Sequence, residues 1–337
     1  MTRWVKRPEG SNWGDFGADD QIGRLNLITP EKVRAAAAEV RTGERFCLSL
    51  PLDLPGGNLL NPRRFPPELV PTKRSGGRAN MNYKVSQDDP NFVDVICDDL
   101  VILHTQYSSQ WDSLAHVGQE FDADGDGKAE IVYYNGYRGG EHVCGPDDAG
   151  GSRANALGIE NMAAAGVQGR GVMIDLEGAF GREKTIVGYD DLMKVMEKDG
   201  VIVEEGDMVC LHTGFAQMIM EMAGNPDEKA LHNSCAALDG RDGKLLNWIT
   251  DSGLSLLIAD NYAVEAYPSR PGEGCCAFLP LHEHCLFKLG IHLGELWHLT
   301  PLNSWLKAQG RSRFLLTAPP LRLPGAVGSP ANAVATV

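Results

Sequence analysis

The sequence predicts an α/β protein with mixed sheets flanked by helices, and three features carry that expectation. Apolar runs recur through the second half of the chain as GVMIDL (171–176), DMVCLHT (207–213), LSLLIA (254–259) and IHLGEL (291–296). Between them, YDDLMKVMEKDG, DGKLLNWITDSG and LPLHEHCLFKLG show helical spacing and end on glycine. Strand-like and helix-like segments therefore alternate, as in layered α/β folds. With 337 residues, 43% of them apolar, the chain has ample material for a buried core.

In chain order, the first clear element is a helix over Thr29 to Arg41. Thr29 suits the cap, Pro30 the first helical position, and Val33, Ala36, Ala37 and Val40 form an i, i+3, i+4, i+7 stripe that Gly43 ends. From Leu52 to Asn82 the composition turns to Pro, Gly and Arg, which favours an irregular arm; long segments of this kind serve as lids or partner contacts. FVDVIC and LVILHT, separated by Asp98 and Asp99, read as a hairpin. No repeat and no linker divides the chain. A single unit over 1–337 is expected, with a helical extension at 1–45 and the arm at 52–82.

Lys and Arg number 31 against 45 Asp and Glu, a formal net charge of −14. Such a surface repels phosphate backbones and anionic membranes, which argues against nucleic acid and membrane partners. No apolar run approaches the roughly 20 residues that cross a bilayer, and the first residues lack the apolar stretch of a signal peptide. A cytoplasmic protein is expected, its eight dispersed cysteines reduced.

The densest chemistry lies in HTQYSSQWDSLAH, residues 104–116, directly after the apolar run LVIL. If the chain is extended at 110–112, Gln110 and Asp112 project from one face, and Gln106 joins them if extension continues. His116 rejoins the group if the chain then turns into a helix. A carboxylate, an imidazole and amide oxygens are competent to hold a divalent ion and activate water, although a hydrogen-bonded strand end would look the same. Far along the chain, His284 falls on an expected helix and Glu295 on the following strand, a second half-site that would supply the missing ligands.

These pieces, in this order, resemble the cyclase family, which includes bacterial kynurenine formamidases and isatin hydrolases. QYSSQWDSLAH is similar to that family's H-x-G-T-H-x-D-x-P-x-H, and HCLFKLGIHLGE to H-x-L-L-x-x-G-I-x-x-x-E; NWGDFGADDQIGRLNLITPEKV, VYYNGY and PLRLPGAVGSPANAVA extend the likeness over nearly the whole chain. The resemblance implies a layered β/β/α (swivelling) fold, a metal-dependent hydrolase and a homo-oligomer, dimer or tetramer. It assigns Asp112, His284 and Glu295 to the ion and His116 to proton transfer. Two family ligand histidines are replaced by Gln106 and Gln110, and the motif proline by Leu114. Amide oxygen is a harder, weaker donor than imidazole, which moves the expected ion from Zn²⁺ toward Mn²⁺.

The expected function is hydrolysis of a small amide, cyclic amide or lactone, with Asp112 and His116 catalytic and Gln106 and Gln110 completing the ion's shell or binding an oxyanion. The alternatives are a non-catalytic small-molecule binder on the same scaffold and a metal-independent hydrolase using Asp112 and His116. Trp111 is a candidate pocket wall, and His212 and Asp260, which follow strands, are candidate substrate contacts. Asp122, Asp124 and Asp126 of FDADGDGKAEIVYY have the order of a calcium loop but place Tyr133 where its bidentate glutamate belongs; a tight acidic turn and a structural Ca²⁺ site both fit.

Overall fold

The computed structural model describes residues 2–337. Its centre is a curled nine-stranded mixed sheet. In chain order the strands are β1 (Arg45–Cys47), β2 (Gln110–Asp112), β3 (Gln168–Asp175), β4 (Met208–His212), β5 (Leu256–Ala259), β6 (Leu293–Glu295), β7 (Arg313–Thr317), β8 (Gly328–Pro330) and β9 (Val334–Thr336). Across the sheet they run β1-β9-β7-β3-β4-β5-β6-β2-β8. β3, β4, β5 and β6 are mutually parallel, and β7 and β2 flank them antiparallel.

Each apolar run of the second half supplies one of the four parallel strands, and period-2 alternation sorts their side chains between two cores. Val172, Ile174, Val209, Leu211, Leu257, Ala259 and Leu293 enter one core with Leu192 and Val195 of helix Tyr189–Asp199 and Leu245 and Ile249 of helix Gly243–Asp251. Met173, Met208, Cys210, Leu256 and Ile258 enter the other, with Leu302 and Leu306 of helix Thr300–Ala308. Mixed sheets flanked by helices are thus what the alternating pattern encodes.

Three expectations need correction. The first helix spans Pro30–Ala37 with Thr29 accepting from the Lys32 amide, and stops four residues short of Arg41. Past its end, Arg311 takes the Glu39 carbonyl at 2.6 Å. FVDVIC and LVILHT do not pair with each other: Val95–Ile96 pairs with Tyr83–Lys84, and Asp99–Ile102 pairs with Glu68–Pro71 inside the supposedly irregular arm. The reason is Asp98, whose amide donates to Asn80 and whose carbonyl accepts from Thr72, so the second run pairs with a strand inside the arm and the first with Tyr83–Lys84 just beyond it. The segment LPLHEHCLFKLG is not a continuous α-helix; after one turn at Pro280–His282 it becomes a π-helix over Glu283–Leu289.

Gly290 ends that π-helix at φ +61°, and a Cβ there would lie 2.7 Å from both the Gly23 Cα and the Tyr134 ring. Gly290→Ala should therefore destabilise by about 2–4 kcal/mol, the sum of a left-handed backbone penalty and overpacking, read as a lower midpoint in denaturant unfolding.

Candidate functional site

Antiparallel pairing of β2 with β6 sets Leu293 opposite Asp112 and Glu295 opposite Gln110. Because neighbouring strand residues face opposite sides, Gln110, Asp112 and Glu295 share one face of the sheet while Trp111 takes the other. All three are buried. Gly328 on β8, paired with Asp112 from the far side, leaves room for Gln106, whose Nε2 a Cβ at 328 would meet within 2.4 Å.

The histidine that meets these carboxylates is His282. Its Nε2–H donates to Glu295 at 3.2 Å and its Nδ1–H to Glu265 at 2.8 Å. Asp112, His282 and Glu295 each offer a ligand atom within 4.8 Å of the others. His284, which motif spacing selects, lies elsewhere: its Nε2 is 2.9 Å from Thr250 Oγ1 on helix Gly243–Asp251. The physical cause is the π-helix, whose wider turn changes the angular relation between residue number and direction, so the spacing from Gly290 no longer identifies the inward ring.

Glu265 is completely buried and is spent on His282 and Leu281, accepting from the His282 ring, the His282 amide at 3.0 Å and the Leu281 amide at 3.1 Å. Gly240 makes room for it, since a Cβ there would lie 2.3 Å from the carboxylate. Gln110 donates its amide to Glu295 at 3.1 Å and to Asp112 at 3.4 Å. That leaves Gln110 Oε1 and Asp112 Oδ2 buried with no hydrogen-bond partner among the described residues. Such orphaned oxygens are rare and point to a missing cation or proton donor.

Charge within the cluster is frustrated. Burial, and then the Glu295 charge, pushes Asp112 up to about 8. Burial opposes charging His282, but its bonds to Glu265 and Glu295 outweigh it and raise the ring to about 10. Glu295 is pushed up by burial yet held below its ordinary value by the His282 hydrogen bond and charge. His116 stands 3.8 Å from Asp112 and 3.5 Å from the Gln106 amide, lowered to about 4 by burial and by His282. Gln106 sits beside His116 and its oxygen accepts from Thr105 at 2.8 Å, so it does not join the carboxylates.

Three candidate substrate contacts fall outside the site. Trp111 is buried on the opposite face, edge-on to Trp297 with ring centroids 4.9 Å apart. His212 ends β4 and has the parity of Met208 and Cys210, so it also faces away from Asp112. It bonds Asp175 at 2.8 Å and Thr300 at 2.9 Å. Asp260 is consumed as a cap, accepting from the Thr213 amide and hydroxyl and the Gly214 amide at 2.6–2.9 Å.

In the acidic turn, the oxygens that converge belong to Asp122, Asp124 and Glu130. Asp126 instead accepts from the Lys128 amide. Lys6 already pairs with Asp122, and Arg138 with Glu130.

A family model for putative cyclases matches residues 48–266. A solved structure described as a novel cyclase is 30% identical, with 97% of this chain and 99% of that one covered and a TM-score of 0.75. Isatin hydrolase A from Labrenzia aggregata, bound to benzyl benzoate, is 13% identical over 90% of this chain and 95% of its own, with a TM-score of 0.55. Isatin hydrolase A from Ralstonia solanacearum is 14% identical over 91% and 97%, with a TM-score of 0.54. A search of curated proteins finds no match.

The His212 cluster yields a pH prediction. Burial opposes the charged ring, but Asp175 and its neighbours outweigh it and raise His212 above 6.5; Asp175, despite burial, is held well below 3.8 by His212 and Lys307. The histidine's contribution to stability is complete below pH 6.5 and is lost as pH rises through its higher folded value; the aspartate's is complete above pH 3.8 and is lost in acid. His212→Ala should therefore lower Tm more at pH 6 than at pH 9, measured by scanning calorimetry.

Proposed function

Since this chain belongs to the cyclase family, we propose that it is a metal-dependent hydrolase opening a small amide, cyclic amide or lactone. One observation carries the reading: the buried convergence of Asp112, His282 and Glu295, with Asp112 Oδ2 lacking any partner. These three residues would hold a divalent ion, with Gln110 Oε1 as a neutral fourth oxygen. The oxygen-rich set favours Mn²⁺ relative to a histidine-rich zinc site. When bound, the ion supplies Lewis acidity toward a carbonyl and toward water.

The remaining chemistry belongs to the chain. Glu265 fixes the His282 ring so that Nε2 faces the carboxylates. Gln110 holds Glu295 and Asp112 apart at a defined spacing. His116, kept neutral by desolvation and by the charge of His282, takes a proton from the attacking water and passes it to the departing nitrogen or oxygen. Gln106 at Nδ1 orients that ring.

Purified protein should carry about one transition ion per chain, and chelation should abolish hydrolysis across an amide and lactone panel. Activity that survives chelation would select the unaided Asp112–His116 pair; protein without ion or activity would select a non-catalytic binder. His282→Ala should lose the ion and His284→Ala retain it, by elemental analysis. Glu265→Gln should weaken ion affinity about 10–100-fold in calorimetric titration.

The reading extends to a cytoplasmic homo-oligomer, dimer or tetramer. Leu69, Val101 and Ile102 are exposed on the two-stranded ribbon of Glu68–Pro71 and Asp99–Ile102, and Phe92 and Val93 are exposed in the loop before Val95–Ile96; such ribbons are marginal unless covered. Val93→Lys with Val101→Lys should shift the mass in analytical ultracentrifugation toward the 36.5 kDa monomer.

A further inference from the structure

The base of the arm does more than lead to the ribbon. Residues 54–64 fold back over the cluster: the Gly56 amide donates to the Tyr107 hydroxyl at 3.0 Å, that hydroxyl donates to the Gly57 carbonyl at 2.9 Å, and Asn61 donates to the Tyr262 hydroxyl at 3.0 Å. Arg64 Nη1 donates to the Gln106 carbonyl at 2.6 Å, tying the guanidinium to the backbone of the motif. Between the arm and the motif lies a cavity of about 10 Å³ lined by Asn58, Asn61, Arg64, Gln106, Tyr107 and Tyr262, room for a single water, so a larger ligand needs its lining side chains to move.

Among the described residues, Arg64 is the one non-histidine cation whose charge reaches Asp112, His116 and Glu295. Among the described residues no carboxylate pairs with it, and the Gln106 carbonyl occupies one of its five N–H groups, leaving a fork suited to a planar carboxylate. Hydrolysis of an amide or lactone releases such a group. On a chain of net charge −14, beside Asp112, Glu295 and Glu265, Arg64 offers that product a cation that neither the ion-holding residues nor His282 occupies.

Resting on the hydrolase reading, we propose that Arg64, carried in by the arm and flanked by Asn61 and Tyr262, binds the carboxylate that opening of the amide or lactone releases. Arg64 is then a substrate-binding residue supplied by the arm, distinct from the ion-holding set.

The test titrates full-length protein with acetate, benzoate and phenylacetate, using benzamide as the uncharged control and Mn²⁺ as a separate probe. At least one carboxylate should bind. Arg64→Met should weaken it about tenfold or more, as expected for losing a charged hydrogen bond, while Arg64→Lys weakens it less. Mn²⁺ affinity and Tm of Arg64→Met should stay close to wild type. Equal carboxylate binding by Arg64→Met overturns the proposal, as does a loss of Mn²⁺ binding or of Tm in parallel, which would mark Arg64 as structural. Wild-type protein that takes Mn²⁺ but no carboxylate refutes the Arg64 assignment alone. Protein that takes carboxylates at Arg64 but no ion refutes the metal-dependent reading alone.

Discussion

The register between two short strands governs everything at the site. Leu293 opposite Asp112 and Glu295 opposite Gln110 put two carboxylates and an amide on one face. A slip of β2 by one residue would turn Gln110 and Asp112 into the opposite core, away from Glu295, and bring Trp111 forward. Register is held by burial on both sides: Trp111 and Trp297 fill one core, and Leu293 and Leu114 the other. Side-chain bonds add to it, since Ser109 donates to the Leu296 carbonyl and Trp297 to the Gln110 carbonyl.

On that frame the cluster is electrostatically unfinished. Three buried carboxylates face one charged imidazole, His282, with the neutral His116 beside Asp112, and the structure compensates by charging His282 and raising Asp112. Burying ionised groups without full pairing is costly, so such an arrangement is retained where a ligand or a reaction completes it. The His212 cluster on the other face is the contrasting case: Asp175 is met by His212, Lys307 and the Gly178 amide, and those bonds clamp helix Thr300–Ala308 onto the sheet. Its satisfied state is that of a structural staple.

Much of the fold was legible because it rests on local pattern. The four parallel strands follow from apolar runs of the right length, and the helix at Pro30 from its cap. The arm was less legible, since the pairing of Glu68–Pro71 with Asp99–Ile102 depends on contacts across some thirty positions that no local pattern carries. At the site, Gln110, Asp112 and Glu295 could be read from alternation and motif. His282 could not: both it and His284 have the right chemistry, and only the π-helix decides which ring points inward. Glu265 and Arg64 were hidden for a related reason. One lies in a loop after β5 and the other in a Pro/Arg-rich stretch, where sequence gives composition but no direction.

The tryptophan pair behind the site has a practical consequence. Trp297 bonds the backbone of Gln110, and Trp111 is flanked in sequence by Gln110 and Asp112, so two of the six indoles are mechanically linked to the residues in front. Their emission is an intrinsic optical gauge of whatever settles among those side chains, legible without a label and without turnover.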